Sequence, residues 1–144
     1  RIKEKKLKIV ENYSKGISKF NTDYNLLEMV LNNLVTNAIK YSNKSGKVSI
    51  VISMIDSGEV SEISSEQDLL CIEVCDNGYG IPKEQQPFIF DKLFRADNVK
   101  EKDTDGTGLG LYIVKSIVET LGGVISFESE KEKGASFRVV LPEV

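Results

Sequence analysis

The 144-residue chain contains no histidine. That single absence removes the Ser-His-Asp triad, the HExxH metalloprotease, Cys₂His₂ zinc and imidazole proton shuttles together. Carboxylates, amides, lysines and hydroxyls are what remain for chemistry. Cysteine is scarce: Cys71 and Cys75 stand four apart in an apolar run, which fits neither a CxxC redox pair nor a zinc knuckle, and they read as reduced thiols of a core. No stretch approaches the roughly 18 apolar residues of a membrane span, and no signal peptide opens the chain. Positive charge is missing from Val48 to Pro82, which holds seven acidic residues, whereas five of the first eight residues are basic. The net charge of −3 has the wrong sign for a protein living on nucleic-acid phosphates, and the basic start reads as a solvated helix end. Neither nucleic acid nor membrane contact by this chain is therefore expected.

What is present suits one globular domain, with 40% apolar and 28% charged residues. Leu7 to Val10 reads as a short edge strand. Asp23 is placed to cap a helix in which Leu27, Val30, Leu31, Leu34 and Ala38 form one apolar stripe. Ser42 to Gly46 is turn chemistry, followed by an alternating strand at Val48 to Ile55. The aperiodic, acidic Asp56 to Asp68 reads as a hairpin loop into a second strand, Leu69 to Cys75. Ile81-Pro82-Lys83 opens a short helix. Arg95 to Asp105 has charge and no period, so a flexible loop is expected there. A second amphipathic helix, with Val114, Ile117, Val118 and Leu121 as its stripe, stops at Gly122-Gly123. Val124 to Ser129 and Ser136 to Leu141 complete a hairpin through Lys133-Gly134. This order predicts a two-layer α/β (α+β) sandwich, a mixed sheet with helices on one face.

Three constellations could carry chemistry. Asn33, Asn37, Lys40 and Tyr41 fall at i, i+4, i+7 and i+8 on the first helix, hence on one face. Amide oxygens there suit Mg²⁺ with phosphates, or else the asparagines mark a solvated edge. Asp76-Asn77-Gly78-Tyr79-Gly80 ends a buried strand with a carboxylate, followed by glycines that allow close backbone approach to a flat ligand. The carboxylate could accept from a purine amino group, or it could close an Asx-type turn on its own backbone. Gly106-Thr107-Gly108-Leu109-Gly110 precedes the second helix, where free N–H groups face an anion. It is neither Walker A nor GxGxxG, and a eukaryotic-type kinase is excluded because no HRD motif exists without histidine.

Taken in order, NNLVTNAIKYS, DNGYGIP, FDKLFRAD and GTGLGLYIVKSIVE closely resemble the N, G1, F and G2 boxes of the ATP-binding catalytic domain of sensor histidine kinases. That family belongs to the Bergerat-fold ATPases, with gyrase, mismatch-repair ATPases and heat-shock chaperones. The closing KGASFRVVLP resembles the family's last strand, so the likeness covers nearly everything beyond about Thr22. The resemblance implies a catalytic domain over residues 23–144 with a lid loop at about 95–105, and a residual connector over 1–22. The chain opens at Arg1 rather than Met, so a piece of something longer is expected.

By the same resemblance, Asn37 matches the Mg²⁺-binding asparagine and Asn33 the residue assisting it, while Lys40 and Tyr41 match residues near the phosphates and the sugar or base. Asp76 matches the adenine-reading carboxylate, with Gly78, Gly80 and Ile81 shaping that wall. Phe90 and Phe94 resemble lid anchors, and Arg95 the arginine that contacts phosphate. Gly106, Thr107, Gly108, Leu109, Gly110 and Leu111 match the loop and helix start at the lid's far end. ATP and Mg²⁺ are the implied cofactors, and Asn37, Lys40 and Arg95 the implied catalytic set. Hydrolytic relatives carry a Glu where Asn33 stands, and an amide is no base, so transfer fits better than hydrolysis. The implied acceptor is a histidine on a dimerisation domain absent from this chain, and a response regulator receiver domain follows indirectly, in the cytoplasm, whether or not the parent is membrane-anchored. The alternatives are a non-catalytic ATP-dependent docking module and an anti-sigma-type serine kinase. Two features depart from the pattern: Ala135 stands where relatives often have Thr, and Asp56 to Asp68 is long for a tight hairpin, reading as a tolerated surface insertion.

Overall fold

Asp23 caps the first helix, α1 (Tyr24–Tyr41), with its carboxylate accepting from the backbone N–H groups of Asn25 and Leu26, both at 3.1 Å. Such a cap is worth about 1 kcal/mol. The computed structural model describes residues 8–13, 20–42, 46–92 and 110–143. The other α-helix among the described residues, α2 (Gly110–Thr120), ends where Gly122 takes φ +78° and Gly123 N–H returns to the Val118 carbonyl at 2.9 Å, a Schellman stop.

Five strands among the described residues build one sheet: β1 (Lys8–Tyr13), β2 (Lys47–Ile55), β3 (Leu69–Asp76), β4 (Val124–Glu130) and β5 (Gly134–Leu141), in the order β1-β2-β3-β5-β4. Only β1 and β2 run parallel; the other pairs are antiparallel, so the sheet is mixed as the element order predicts. The edge strand extends to Tyr13, three residues beyond the expected Val10.

Strand alternation divides the sheet into two faces. Leu70, Ile72 and Val74 of β3 and Phe137, Val139 and Leu141 of β5 join Val30, Leu34, Ala38 and Ile39 of α1 and Val114, Ile117 and Val118 of α2 in the main core. Both helices thus cover one face. Asp76, two residues beyond Val74, lies on that same face at the end of its strand.

Residues 56–68 join β2 to antiparallel β3 as the expected hairpin loop, but the opposite face revises their reading as a surface insertion. This segment contains a 3₁₀ turn at Ser57–Glu59, then sinks Val60 and Ile63 against Leu69, Cys71 and Val140 in a second, smaller core. Two apolar side chains three residues apart are enough to dock an otherwise acidic segment onto the back of the sheet. The short helix after Pro82 is also revised: it is 3₁₀, Lys83–Phe88, with Pro82 at the cap rather than inside the first turn.

Candidate functional site

The turn that follows β3 is fixed by three separate parts of the fold. Asn77 extends the β2–β3 ladder by one pair: its N–H donates to the Lys47 carbonyl at 3.3 Å, while its Oδ1 accepts from Lys47 N–H at 2.8 Å. The side-chain amide takes over an acceptor role from the backbone, which is already leaving the sheet. Tyr79 N–H then donates to the Tyr41 carbonyl at 3.1 Å, tying the turn to the C-terminal end of α1. Behind it, Tyr79's own carbonyl accepts from Glu132 N–H in the β4–β5 turn.

These contacts explain the two glycines differently from the sequence reading. A Cβ on Gly78 would lie 2.0 Å from the Tyr41 carbonyl oxygen, and one on Gly80, whose φ is +66°, would lie 1.9 Å from that of Glu130. Close approach is required here, but by the protein's own backbone.

Asp76 closes the Asx-type turn, its Oδ1 accepting from Gly78 N–H at 2.9 Å. Burial pushes its carboxyl up from the ordinary 3.8 to about 6, while backbone N–H groups of Gly78 and Ala135 pull it back down. Ala135 pairs with Asp76 in the β3–β5 register, so the missing threonine hydroxyl does not remove the main-chain contact at that position.

On α1, Asn33, Asn37, Lys40 and Tyr41 are all half-buried along one side. Asn33 spends an amide proton on its own helix, donating to the Met29 carbonyl at 2.8 Å. Its oxygen is presented to α2, at 3.6 Å from where a Gly110 Cβ would stand. The helix therefore touches the start of α2 at Asn33 and the Asp76 turn at Tyr41, eight residues and about 12 Å of rise apart. No group of three or more carboxylate, cysteine or histidine ligands occurs among the described residues, so a cation here would meet neutral amide oxygens and require further oxygens from a ligand. That donor set fits Mg²⁺ bound together with phosphates.

Phe90 packs edge-on to Phe127, with centroids 5.8 Å apart, and to Phe137 at 6.5 Å, with Lys115 Nζ 5.3 Å over its ring. Ile81 and Leu111 pack against the main core. Phe94, Arg95, Gly106, Thr107, Gly108, Leu109 and the segment 95–105 lie outside the described residues. Asn77, Gln86 and Ser129, which hold the Asp76 turn in place, carry no role in the sequence reading; Asn77 alone could have been flagged, as a turn residue with a local acceptor.

A half-buried carboxylate in a turn tied to a helix of amides, with a second helix starting against that helix, is the geometry of a family rather than of one protein. The family described as histidine kinase-, DNA gyrase B- and HSP90-like ATPase matches residues 22–144, and the chain belongs to it. Within the family the likeness is to catalytic domains of sensor histidine kinases. The chain is 34% identical over 140 residues to the sensor histidine kinase WalK of Bacillus subtilis (strain 168), and 36% over 106 residues to the signal transduction histidine-protein kinase ArlS of Staphylococcus aureus (strain USA300). These matches cover 97% and 74% of this chain and 21% of each relative, so the chain spans about a fifth of their length. Among solved structures, full-length ShkA in complex with AMPPNP superposes with a TM-score of 0.77 at 27% identity, over 99% of this chain and 27% of that one. The catalytic domain of histidine kinase ThkA gives 0.74 at 25%, over 99% and 84%. Among the described residues, no helix is long and apolar enough to cross a membrane.

Proposed function

We propose that the chain binds Mg·ATP and donates the γ-phosphate to a histidine on a dimerisation domain of the same parent protein, from which a response regulator receiver domain takes it. The observation that carries this reading is the placement of Asp76, half-buried at the strand end on the helix-covered face, in a turn that Tyr79 N–H ties to the end of the helix bearing the amides. An ionised Asp76 accepts from the adenine N6 amino group and faces the O6 acceptor of guanine unfavourably, which selects ATP. Gly78, Gly80 and Ile81 form the wall beside the base, with Tyr41 near the sugar or base. Asn37, assisted by the Asn33 oxygen, holds Mg²⁺, which supplies charge neutralisation at the phosphates. Lys40 and Arg95 steady the developing charge, and the phosphate contact before α2 falls to the glycine-rich motif of Gly106, Thr107, Gly108, Leu109, Gly110 and Leu111. Phe90 and Phe94 anchor the near end of the lid.

No residue of this set is a general base for water, and the chain has no histidine to accept phosphate. Positioning and electrostatics are what such a site offers, and phosphoryl transfer requires little more. The deciding experiment fuses a histidine-bearing dimerisation domain ahead of Arg1 and follows label from γ-labelled ATP. Acid-labile, base-stable label is expected, abolished by Asn37→Ala. Acid-stable phosphoserine would indicate a serine kinase, ATP binding without label a docking module, and rapid hydrolysis by the chain itself a hydrolytic enzyme.

A further inference from the structure

Residues 78–81 leave the sheet, so no strand ladder holds them, yet they are the proposed wall of the base site. Their rear is secured by two side chains, one five residues further along and one 48 residues away in sequence. Ile81 N–H donates to Ser129 Oγ at 2.8 Å, and the Ile81 carbonyl accepts from Gln86 Nε2 at 3.1 Å. The Ser129 hydroxyl passes its own proton to the Gly134 carbonyl at 2.9 Å, and Gln86 Nε2 also donates to the Ser129 carbonyl at 2.9 Å. Four hydrogen bonds thus join the wall, the β4–β5 hairpin and the 3₁₀ segment. All three residues are half-buried, where an orphaned amide or carbonyl is costly. The knot is packed against the backbone of Asp76: a Cβ on Gly134, whose φ is +110° and whose carbonyl accepts from Ser129, would lie 2.0 Å from the Asp76 main-chain carbonyl oxygen.

Resting on the nucleotide reading above, we infer that Ser129 and Gln86 are positioning residues that set base selectivity by holding the Gly80–Ile81 wall at a fixed distance from Asp76. Neither side chain needs to touch the nucleotide. Ser129 delivers its effect through the Ile81 N–H, and Gln86 through the Ile81 carbonyl. Gln86 also stands on the 3₁₀ segment that leads to Phe90, so the same amide joins the base wall to the proposed root of the lid.

The test compares the affinities of the 144-residue chain for Mg·ATP, Mg·GTP and Mg·tripolyphosphate, with thermal melting in parallel. Ser129→Ala and Gln86→Leu are each expected to weaken ATP binding about three- to tenfold, the scale of one or two lost hydrogen bonds. Tripolyphosphate binding should not change, and because ATP loses more than GTP the preference between them should narrow. Ser129→Thr, which keeps the hydroxyl, should restore it. Unchanged ATP affinity and selectivity in both variants would overturn the inference, as would equal losses for ATP and tripolyphosphate. Should Ser129→Ala fail to fold, Gln86→Leu alone decides. A parent chain with no preference for ATP would instead overturn the nucleotide reading itself.

Discussion

Asp76 is pulled in opposite directions by folding and by binding. Its folded-state value of about 6 lies above the ordinary 3.8, so folding is favoured where the group is protonated. That contribution is present in full below about 3.8 and is lost as the pH rises through about 6. Base reading needs the ionised form, so ATP affinity should fall as the pH drops through the same region. Asp76→Asn is therefore expected to raise stability at pH 7.5 by roughly 1–3 kcal/mol, with the gain vanishing towards pH 4, while ATP binding is lost. Melting curves at the two pH values, with titration of ATP at 7.5, check both signs. A second prediction at this scale separates packing from ligand approach. Gly78→Ala should cost about 1–3 kcal/mol or more, because the new methyl meets backbone rather than a movable side chain, whereas Gly58→Ala, with nothing within 4 Å, should stay within about 0.5 kcal/mol. Denaturant melts of the two variants provide the comparison. The sequence identifies Gly78 and Gly80 as places of close approach; it does not say whether a ligand or the Tyr41 and Glu130 carbonyls make that approach.

Elements with a clear period were legible. The stripes of α1 and α2 and the strand of alternating residues at β2 appear where the apolar spacing puts them, and β3 appears where the apolar run does, buried on both faces over 69–72. Segment 56–68 left a much weaker trace: Val60 and Ile63 are a single pair in an acidic stretch, and nothing local reveals that Leu69, Val140 and Val124 wait on the back of the sheet. The candidate site divides in the same way. Spacing and strand end single out Asn33, Asn37 and Asp76 as candidates and the motif order assigns their roles, but Ser129 and Gln86 meet only through the hairpin and stand 43 residues apart. For the cover itself, Ile63→Asp should lift it from the sheet, lowering stability by about 2–4 kcal/mol. The buried Cys71 thiol, whose titration burial pushes upward, should then become reactive towards a thiol reagent. Timed labelling, with Cys71→Ala as the control for Cys75, measures this, and ATP binding should survive because the cover lies on the face away from Asp76.

At the scale of the whole molecule, the middle of α1 meets the start of α2 at the Asn33 oxygen, and its C-terminal end holds the turn after Asp76 through the Tyr41 carbonyl. On the proposed role of Asn37 as an Mg²⁺ ligand, Asn37→Ala should weaken Mg·ATP binding at least tenfold while changing metal-free ATP binding little. Isothermal titration with and without Mg²⁺ distinguishes this from a packing role, which would reduce both alike. The strand order carries a further consequence, for the route by which the domain forms. The pairs β2–β3 and β4–β5 join neighbours in the sequence, whereas β3 meets β5 only after the chain between them has returned, and Asp76 pairs with Ala135 in that late register. Closing a long loop is slow and entropically costly, so the two hairpins are expected to precede their union in the folding transition state. Mg·ATP should then slow unfolding while leaving the refolding rate almost unchanged, a one-armed shift of the chevron measurable by stopped flow. Nucleotide would act as a brake on coming apart, without guiding the chain together.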